Sequence, residues 1–251
     1  MLSVIIITRN EEQMLPDCLK SLDFADEIIV VDTGNTDSTN EIARKSGAKI
    51  VTSSGSDYSQ FRDAGLRAAR GDWVLYIDAD ERVTPPLRAE ILSHLSYPGG
   101  ISAFALLRNN IYLGRRMRFG GWGGDYVIRL FSRPALTGWR GQLHEQPVFT
   151  GLMAKLVSPL DHYSHRDLSS MVTKTLNFTA YEARLRFAAG HPPVTWWRIF
   201  RVLLTEFWYR FIRLSAWRDG PEGIIDGLFQ VYNTFIIYAR LWELQYDSRR
   251  L

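Results

Sequence analysis

Two carboxylates spaced two residues apart, Asp78 and Asp80, follow an apolar run over 73–77 in the segment Asp78-Ala79-Asp80-Glu81. Side chains i and i+2 of an extended chain point to one side. The pair can therefore share a hard divalent cation, which takes oxygen ligands and keeps positions open for phosphate oxygens and water. Such an ion would offset the repulsion between the carboxylates and a diphosphate. A lone Asp-X-Asp can equally be a turn that caps the next helix. Two more polar segments follow apolar runs: Thr8-Arg9-Asn10-Glu11-Glu12 and Asp32-Thr33-Gly34-Asn35-Thr36-Asp37-Ser38-Thr39. In the second, Asp32 is placed to accept from a base or ribose donor, and Gly34 lets the backbone turn tightly. Asp37 or Ser38 with Glu41 reads as a capping box. Arg62 either reaches a phosphate or lies on a solvated helix face.

These segments need a common sheet edge if they are to converge. Residues 1–82 alternate short apolar runs with polar helical stretches, the pattern of a parallel sheet covered by helices. The runs predict strands over 3–8, 28–31, 49–52 and 73–77. Helices are expected over 12–22, 39–46 and 58–69, with Gly47 and Gly71 as stops. Leu15, Cys18, Leu19 and Leu22 recur at helical spacing. Ligands of open α/β sheets bind at the carboxyl ends of the strands, where all three polar segments would lie.

The chain of 251 residues is long enough for one domain and an appendage. With 46% hydrophobic and 23% charged residues it is globular in composition, which excludes a disordered or fibrous chain. Its single cysteine, Cys18, cannot form an intramolecular disulfide and reads as a small buried hydrophobe. The first residues run directly into a strand, without the basic n-region of a signal peptide. The net charge of +3 is uneven: residues 151–251 hold the basic excess. There the arginines are interleaved with Trp, Phe and Leu, a mixture that suits a membrane surface and not a nucleic acid. Segments 195–213 and 224–242 are expected to be interfacial helices. The first is interrupted by Arg198, Arg201, Arg210 and Arg213, the second by Asp226 and Arg240, whereas a spanning helix needs about 20 apolar residues.

The chain resembles the family 2 glycosyltransferases of GT-A fold, and within them the bacterial lipopolysaccharide-core beta-glucosyltransferases. The resemblance is carried by the segments over 3–11, 31–39 and 71–81, then by Gly120-Gly121-Trp122, Asp125-Tyr126, Arg129-Leu130-Phe131, Gly141-Gln142-Leu143-His144-Glu145 and the stretch 238–245. It implies an α/β fold with a Rossmann-like, mostly parallel sheet over 1–165, divided into a nucleotide-sugar half (1–82) and an acceptor side (83–165). A helical, membrane-interfacial region would occupy 166–251.

By the same resemblance Thr8, Asn10, Glu11 and Asp32 line the nucleoside pocket, Arg62 serves the diphosphate, and Asp78 contacts the donor. Asp78 and Asp80 hold Mg²⁺ or Mn²⁺, with His162 returning to the metal. Trp122, Arg129 and His144 lie on the acceptor side. Glu145 is the expected catalytic base, a partly desolvated carboxylate with its pKa raised toward neutrality, and Asp125 is the alternative. The implied reaction is inverting transfer of a hexose, glucose in the nearest subgroup, from a UDP-sugar to a saccharide or lipid-linked glycan such as lipopolysaccharide core. It would occur at the inner face of the cytoplasmic membrane.

Three departures from the pattern stand out: Asn35 in place of Ser, Asp63 in place of Asn, and Gly123-Gly124 in place of Tyr-Pro, a change expected to loosen the acceptor loop. A non-catalytic sugar-binding scaffold and a sugar nucleotidyltransferase are the competing readings. The latter is disfavoured because the loop after the first strand contains no glycine.

Overall fold

The computed structural model describes every residue except 56, 142–144, 166 and 248–251, and leaves out the side chains of 165, 170, 174 and 177. The first elements are β1 (Leu2–Thr8), α1 (Leu15–Lys20), β2 (Glu27–Asp32), α2 (Thr39–Lys45), β3 (Lys49–Thr52), α3 (Tyr58–Ala68) and β4 (Trp73–Asp78). Next come β5 (Glu81–Val83), α4 (Pro85–Ser96), β6 (Ile101–Tyr112), β7 (Arg115–Arg116), β8 (Asp125–Ser132), β9 (Leu136–Arg140), β10 (Gln146–Phe149) and β11 (Leu152–His165). The chain closes with α5 (Leu168–Ala188), α6 (Trp196–Trp208) and α7 (Gly220–Asp247). It forms two compact units: Met1–Asn109 with Gly124–His162, and Asn110–Gly123 with Tyr163–Leu251.

In the first unit the strands follow the order β3-β2-β1-β4-β8-β6-β11-β5. The pairs β1–β2, β2–β3 and β1–β4 are parallel, while β4–β8, β6–β8 and β11–β5 are antiparallel. Both faces of β1, β2 and β4 are covered, which explains why their centres are continuous apolar runs. Val4, Ile6, Val30, Leu75 and Ile77 pack on one face with Leu15, Cys18 and Leu87. Ile5, Ile29, Val31, Val74 and Tyr76 pack on the other with Ala64. Burial pushes the Cys18 thiol up, and Cys18 is wholly enclosed, as a small core hydrophobe should be.

Local chemistry moves several expected boundaries. α1 is confined to Leu15–Lys20 because Pro16, in its first turn, has no N–H to continue a helix from further back. Gly47 adopts φ 79°, as a helix stop requires. The capping box before α2 is absent: Asp37 accepts from the Thr39 amide at 3.1 Å, and Glu41 pairs with Lys45. After α3 the chain is already extended at Ala69. Gly71 instead permits close approach, since a Cβ there would lie 2.7 Å from the Ser3 nitrogen.

Gly65 has a similar role on α3, where a Cβ would collide with Ile5 Cγ2 and sit 3.2 Å from Val31 Cγ2. Alanine at this site would gain roughly 1 kcal/mol of helix propensity, but overpacking two buried branched side chains costs about 1–3 kcal/mol. Gly65→Ala should therefore lower the urea midpoint; an unchanged or higher midpoint would show that α3 shifts away from β1 freely.

The second unit is largely helical. Ala183 of α5, Val194 and Ile237, Tyr238 and Leu241 of α7 form its core, with Ile199 and Val202 of α6 against it. Tyr112, Met117 and Met171 make a smaller cluster. α6 runs into a π-turn over Tyr209–Arg213.

Candidate active site

Strand register brings the polar segments together. Thr8 stands beside Asp32 across β1–β2, and Ile7 beside Asp78 across β1–β4, so the three strand ends share one edge. The loops after β1 and β2 are tied to each other. Asn35 donates from Nδ2 to Thr8 Oγ1 at 2.9 Å and accepts from the Asn10 amide at 2.8 Å. Asn10, at φ 59°, accepts in turn from the Thr36 amide at 2.7 Å, and the Glu11 amide donates to Thr39 Oγ1 at 2.8 Å. Asn35 thus donates and accepts across the loop pair, which the shorter serine side chain could not do over the same span. Asp32 is engaged by its own loop: Oδ1 accepts from the Gly34 and Asn35 amides at 2.8 and 2.7 Å, and Oδ2 from Asn40 Nδ2 at 2.7 Å. Burial alone would raise its pKa, but these donors outweigh burial and hold the carboxyl below its ordinary value.

Beyond the strand ends lies a network of arginines and acids. Arg129 on β8 is buried and hydrogen-bonds Asp78, while its Nη2 lies 3.7 Å from Glu81 Oε1. Arg62 on α3 stands 3.6 Å from Asp78 and donates from Nε to Glu145 at 2.8 Å. Its guanidinium carbon is 4.7 Å from the centre of the Trp139 ring and 5.4 Å from that of Tyr76, contacts that fix its position. Arg108 pairs with Asp125 at 2.7 Å directly across β6–β8. Burial would raise the Asp78 pKa, yet Arg129 and Arg62 hold it well below the carboxylate range. Burial and the Asp78 charge push Glu81 up to about 7 despite Arg129.

His162 on β11 faces Glu81 in the β11–β5 register, and its Nε2 comes within 3.7 Å of Asp80 Oδ2. Burial lowers the imidazole pKa, which favours the neutral ring with a lone pair to offer. Among the described residues no three His, Cys, Asp or Glu side chains gather around one point as a ready metal cage. Asp80 and His162 are nevertheless an adjacent oxygen and nitrogen donor. This incomplete set suits an ion completed by diphosphate oxygens and water. Asp78, also expected to share the ion, is paired with Arg129 and Arg62.

The other expected residues have distinct placements. Arg129 is an internal partner of Asp78 and not an exposed acceptor contact. Glu145, expected as a partly desolvated carboxylate, is 14% exposed and ion-paired with Arg62, and Asp125 pairs with Arg108. His144 falls outside the described residues. Trp122 belongs to the second unit, where its Nε1 donates to Asp226 at 2.7 Å. The loop that carries it is tied to its own unit by hydrogen bonds ahead of the glycine pair. Asp219 accepts from the Arg118 and Phe119 amides at 2.9 and 2.7 Å, Arg210 donates to the Gly120 carbonyl at 2.8 Å, and a Cβ at Gly123 would collide with the Arg118 carbonyl. Asp63 accepts from the Trp139 amide at 3.0 Å, a bond the oxygen of asparagine could also accept. Sequence reasoning missed Arg108, Glu81 and Asp219. The first needs strand register to be seen, whereas Glu81 was legible as the third acid of its segment.

The sheet order and the convergence of its carboxyl-end loops define a GT-A-type α/β fold. The model of glycosyl transferase family 2 matches residues 3–141, more than half of the chain, and the protein belongs to that family. Over 115 residues it is 41% identical to a TPR repeat-containing protein of Synechococcus elongatus, a match covering 45% of this chain and 28% of that protein. An uncharacterized glycosyltransferase of Rickettsia typhi is 26% identical over 100% of this chain and 89% of its own length. A lipopolysaccharide core biosynthesis glycosyltransferase of Rhizobium meliloti is 23% identical over 96% of this chain and 92% of its own.

Proposed function

We propose that this family 2 glycosyltransferase moves a hexose, with inversion, from a UDP-sugar to a saccharide or glycolipid acceptor. The observation that carries the reading is the meeting of the Thr8–Glu11 loop, the Asp32–Asn35 loop and Asp80 at one strand edge, with His162 returned to Asp80 from a distant strand. The similarity to a lipopolysaccharide core enzyme supports a glycolipid acceptor, and glucose is the sugar suggested by the sequence pattern.

In this reading the two interlocked loops receive the nucleoside. The main-chain groups and side chains of Thr8, Asn10 and Glu11 are the contacts, while Asp32 chiefly shapes its own loop. Asp80 and His162 would hold Mg²⁺ or Mn²⁺, which as a Lewis acid stabilises negative charge on the departing diphosphate. Asp78, kept ionised by Arg129 and Arg62, presents a fixed acceptor for a donor hydroxyl. Arg62 is shared between Asp78 and Glu145, so an arriving diphosphate competes for its guanidinium. Releasing Glu145 from that ion pair leaves its carboxylate able to take the acceptor hydroxyl's proton while the nucleotide leaves from the opposite face. The displacement passes through an oxocarbenium-like transition state and needs no covalent intermediate.

The test is binding and slow hydrolysis of a panel of nucleotide sugars with and without Mg²⁺ or Mn²⁺, with Asp80→Asn alongside. One donor should bind and be hydrolysed only with metal, and Asp80→Asn should lower turnover by roughly 10²–10³, the loss seen when one charge-stabilising group is removed. Wild-type turnover by the variant in the presence of metal would remove Asp80 from the metal site. Failure of every nucleotide sugar to bind would favour a non-catalytic sugar-binding scaffold.

A further inference from the structure

Helix α6 carries two apolar faces, and only one of them is used inside the second unit. Ile199 and Val202 pack against the helical core. At about 3.6 residues per turn, Trp196, Phe200 and Phe207 form one row on a different side, with Trp197, Leu204 and Trp208 beside it. These six side chains are between 45% and 78% exposed. Scattered exposed hydrophobes are normal, but a contiguous stripe of this size on a soluble surface marks an interaction site.

Charge selects the occupant. Arg201 borders the stripe and Arg198 lies one step further round. Arg213 follows in the π-turn. None of the three enters an ion pair among the described residues, whereas Arg210 is taken by Glu206 at 2.7 Å. The stripe is thus flanked by available positive charge, and the one acid of α6, Glu206, is already paired with Arg210. An isologous contact between two copies would set this cationic rim against itself. A surface of negative charge over hydrocarbon meets both demands, because aromatic rings enter the headgroup boundary while arginines stay at the phosphates. No helix among the described residues is long and apolar enough to cross a membrane. α7 supplies the contrast: Asp226 is buried beneath Trp122 and Gln230, and Arg240 donates to the Leu176 carbonyl. Its charges serve internal structure, unlike those of α6.

We infer that the outer face of α6 is a docking surface for anionic phospholipid, lying in the plane of the headgroups. The inference is independent of the transfer reading and is tested without donor. Purified full-length protein is floated with vesicles of phosphatidylethanolamine and phosphatidylglycerol, and in parallel with vesicles of phosphatidylcholine alone. The wild type should float with the anionic vesicles, and less so as salt is added. Arg198→Gln with Arg201→Gln should weaken partitioning by about thirtyfold, from roughly two surface charges. Trp197→Ser with Phe200→Ser should abolish it while the thermal melt stays unchanged. Absence of wild-type flotation, or equal flotation of the aromatic variant, would overturn the assignment. So would a wild-type dimer that ignores vesicles and is dissociated by the same aromatic changes, which would assign the face to a second copy of the chain.

Discussion

Glu145→Gln should leave donor binding and metal-dependent donor hydrolysis largely intact while lowering transfer to acceptor by about 10²–10⁴-fold, the range for loss of a general base. The substitution isolates the proton-accepting function because shape is kept. Arg62 Nε and Nη2 both reach Glu145 Oε1 at 2.8 Å, and the carbonyl oxygen of glutamine can accept the same two bonds. The guanidinium therefore stays over Trp139 and near Asp78, ready for the diphosphate. What disappears is a carboxylate able to hold the acceptor's proton. Measuring donor affinity, hydrolysis and transfer separately distinguishes this from a general disruption, which would reduce all three. Transfer at the wild-type rate would move the base to Asp125, and Asp125→Asn would then carry the loss.

Arg129→Leu should destabilise the fold by about 3–5 kcal/mol, the cost of removing one partner from a buried ion pair. Arg129 and Glu81 are almost fully enclosed, and Asp78 depends on the same guanidinium. Taking it away leaves two carboxylates on neighbouring backbone with less compensating charge. The loss has a pH signature. Burial raises Glu81 from 4.5 to about 7 even with Arg129 present, so the folded state holds this proton more tightly than the unfolded chain. Such a contribution is complete below about pH 4.5 and is lost as pH rises through about 7. Without Arg129 the folded-state preference for protonated Glu81 grows, and the deficit should be larger at pH 8 than at pH 5. Urea unfolding at the two pH values checks this. Equal midpoints for variant and wild type would mean that water or another side chain satisfies the two acids. Arg129→Lys should not restore full stability, since an ammonium is more strongly hydrated than a guanidinium and costs more to bury beside Asp78 and Glu81.

Much of the parallel half is legible in the amino-acid sequence. A strand buried on both faces must be apolar throughout, so 28–31 and 73–77 declare themselves, and Gly47 marks its helix end because few residues accept a positive φ. Where a second local effect competes, the pattern misleads. Pro16 shortens α1, Asp37 turns back on Thr39 and displaces the capping box, and Gly71 answers a packing constraint in place of a helix stop. The pattern does not separate α4 and α5 from their surroundings. Nor does it reveal the antiparallel strands after residue 100, whose partners lie far away in sequence.

The same division runs through the site. Composition and order alone determined that Thr8, Asp32 and Asp78 stand at the carboxyl ends of strands, with Asp80 just beyond, because hydrophobic runs set the strands and chain direction sets their ends. Only the tertiary structure decided which charge each acid faces. Arg129 meets Asp78, Arg62 joins Asp78 to Glu145, Arg108 meets Asp125, and His162 comes to Asp80 through register and packing between segments as many as 83 residues apart. Patterns along a chain report what a residue does with its near neighbours in sequence. Coulomb energy and desolvation depend on distance and enclosure in space, and these exist only once the sheet has formed.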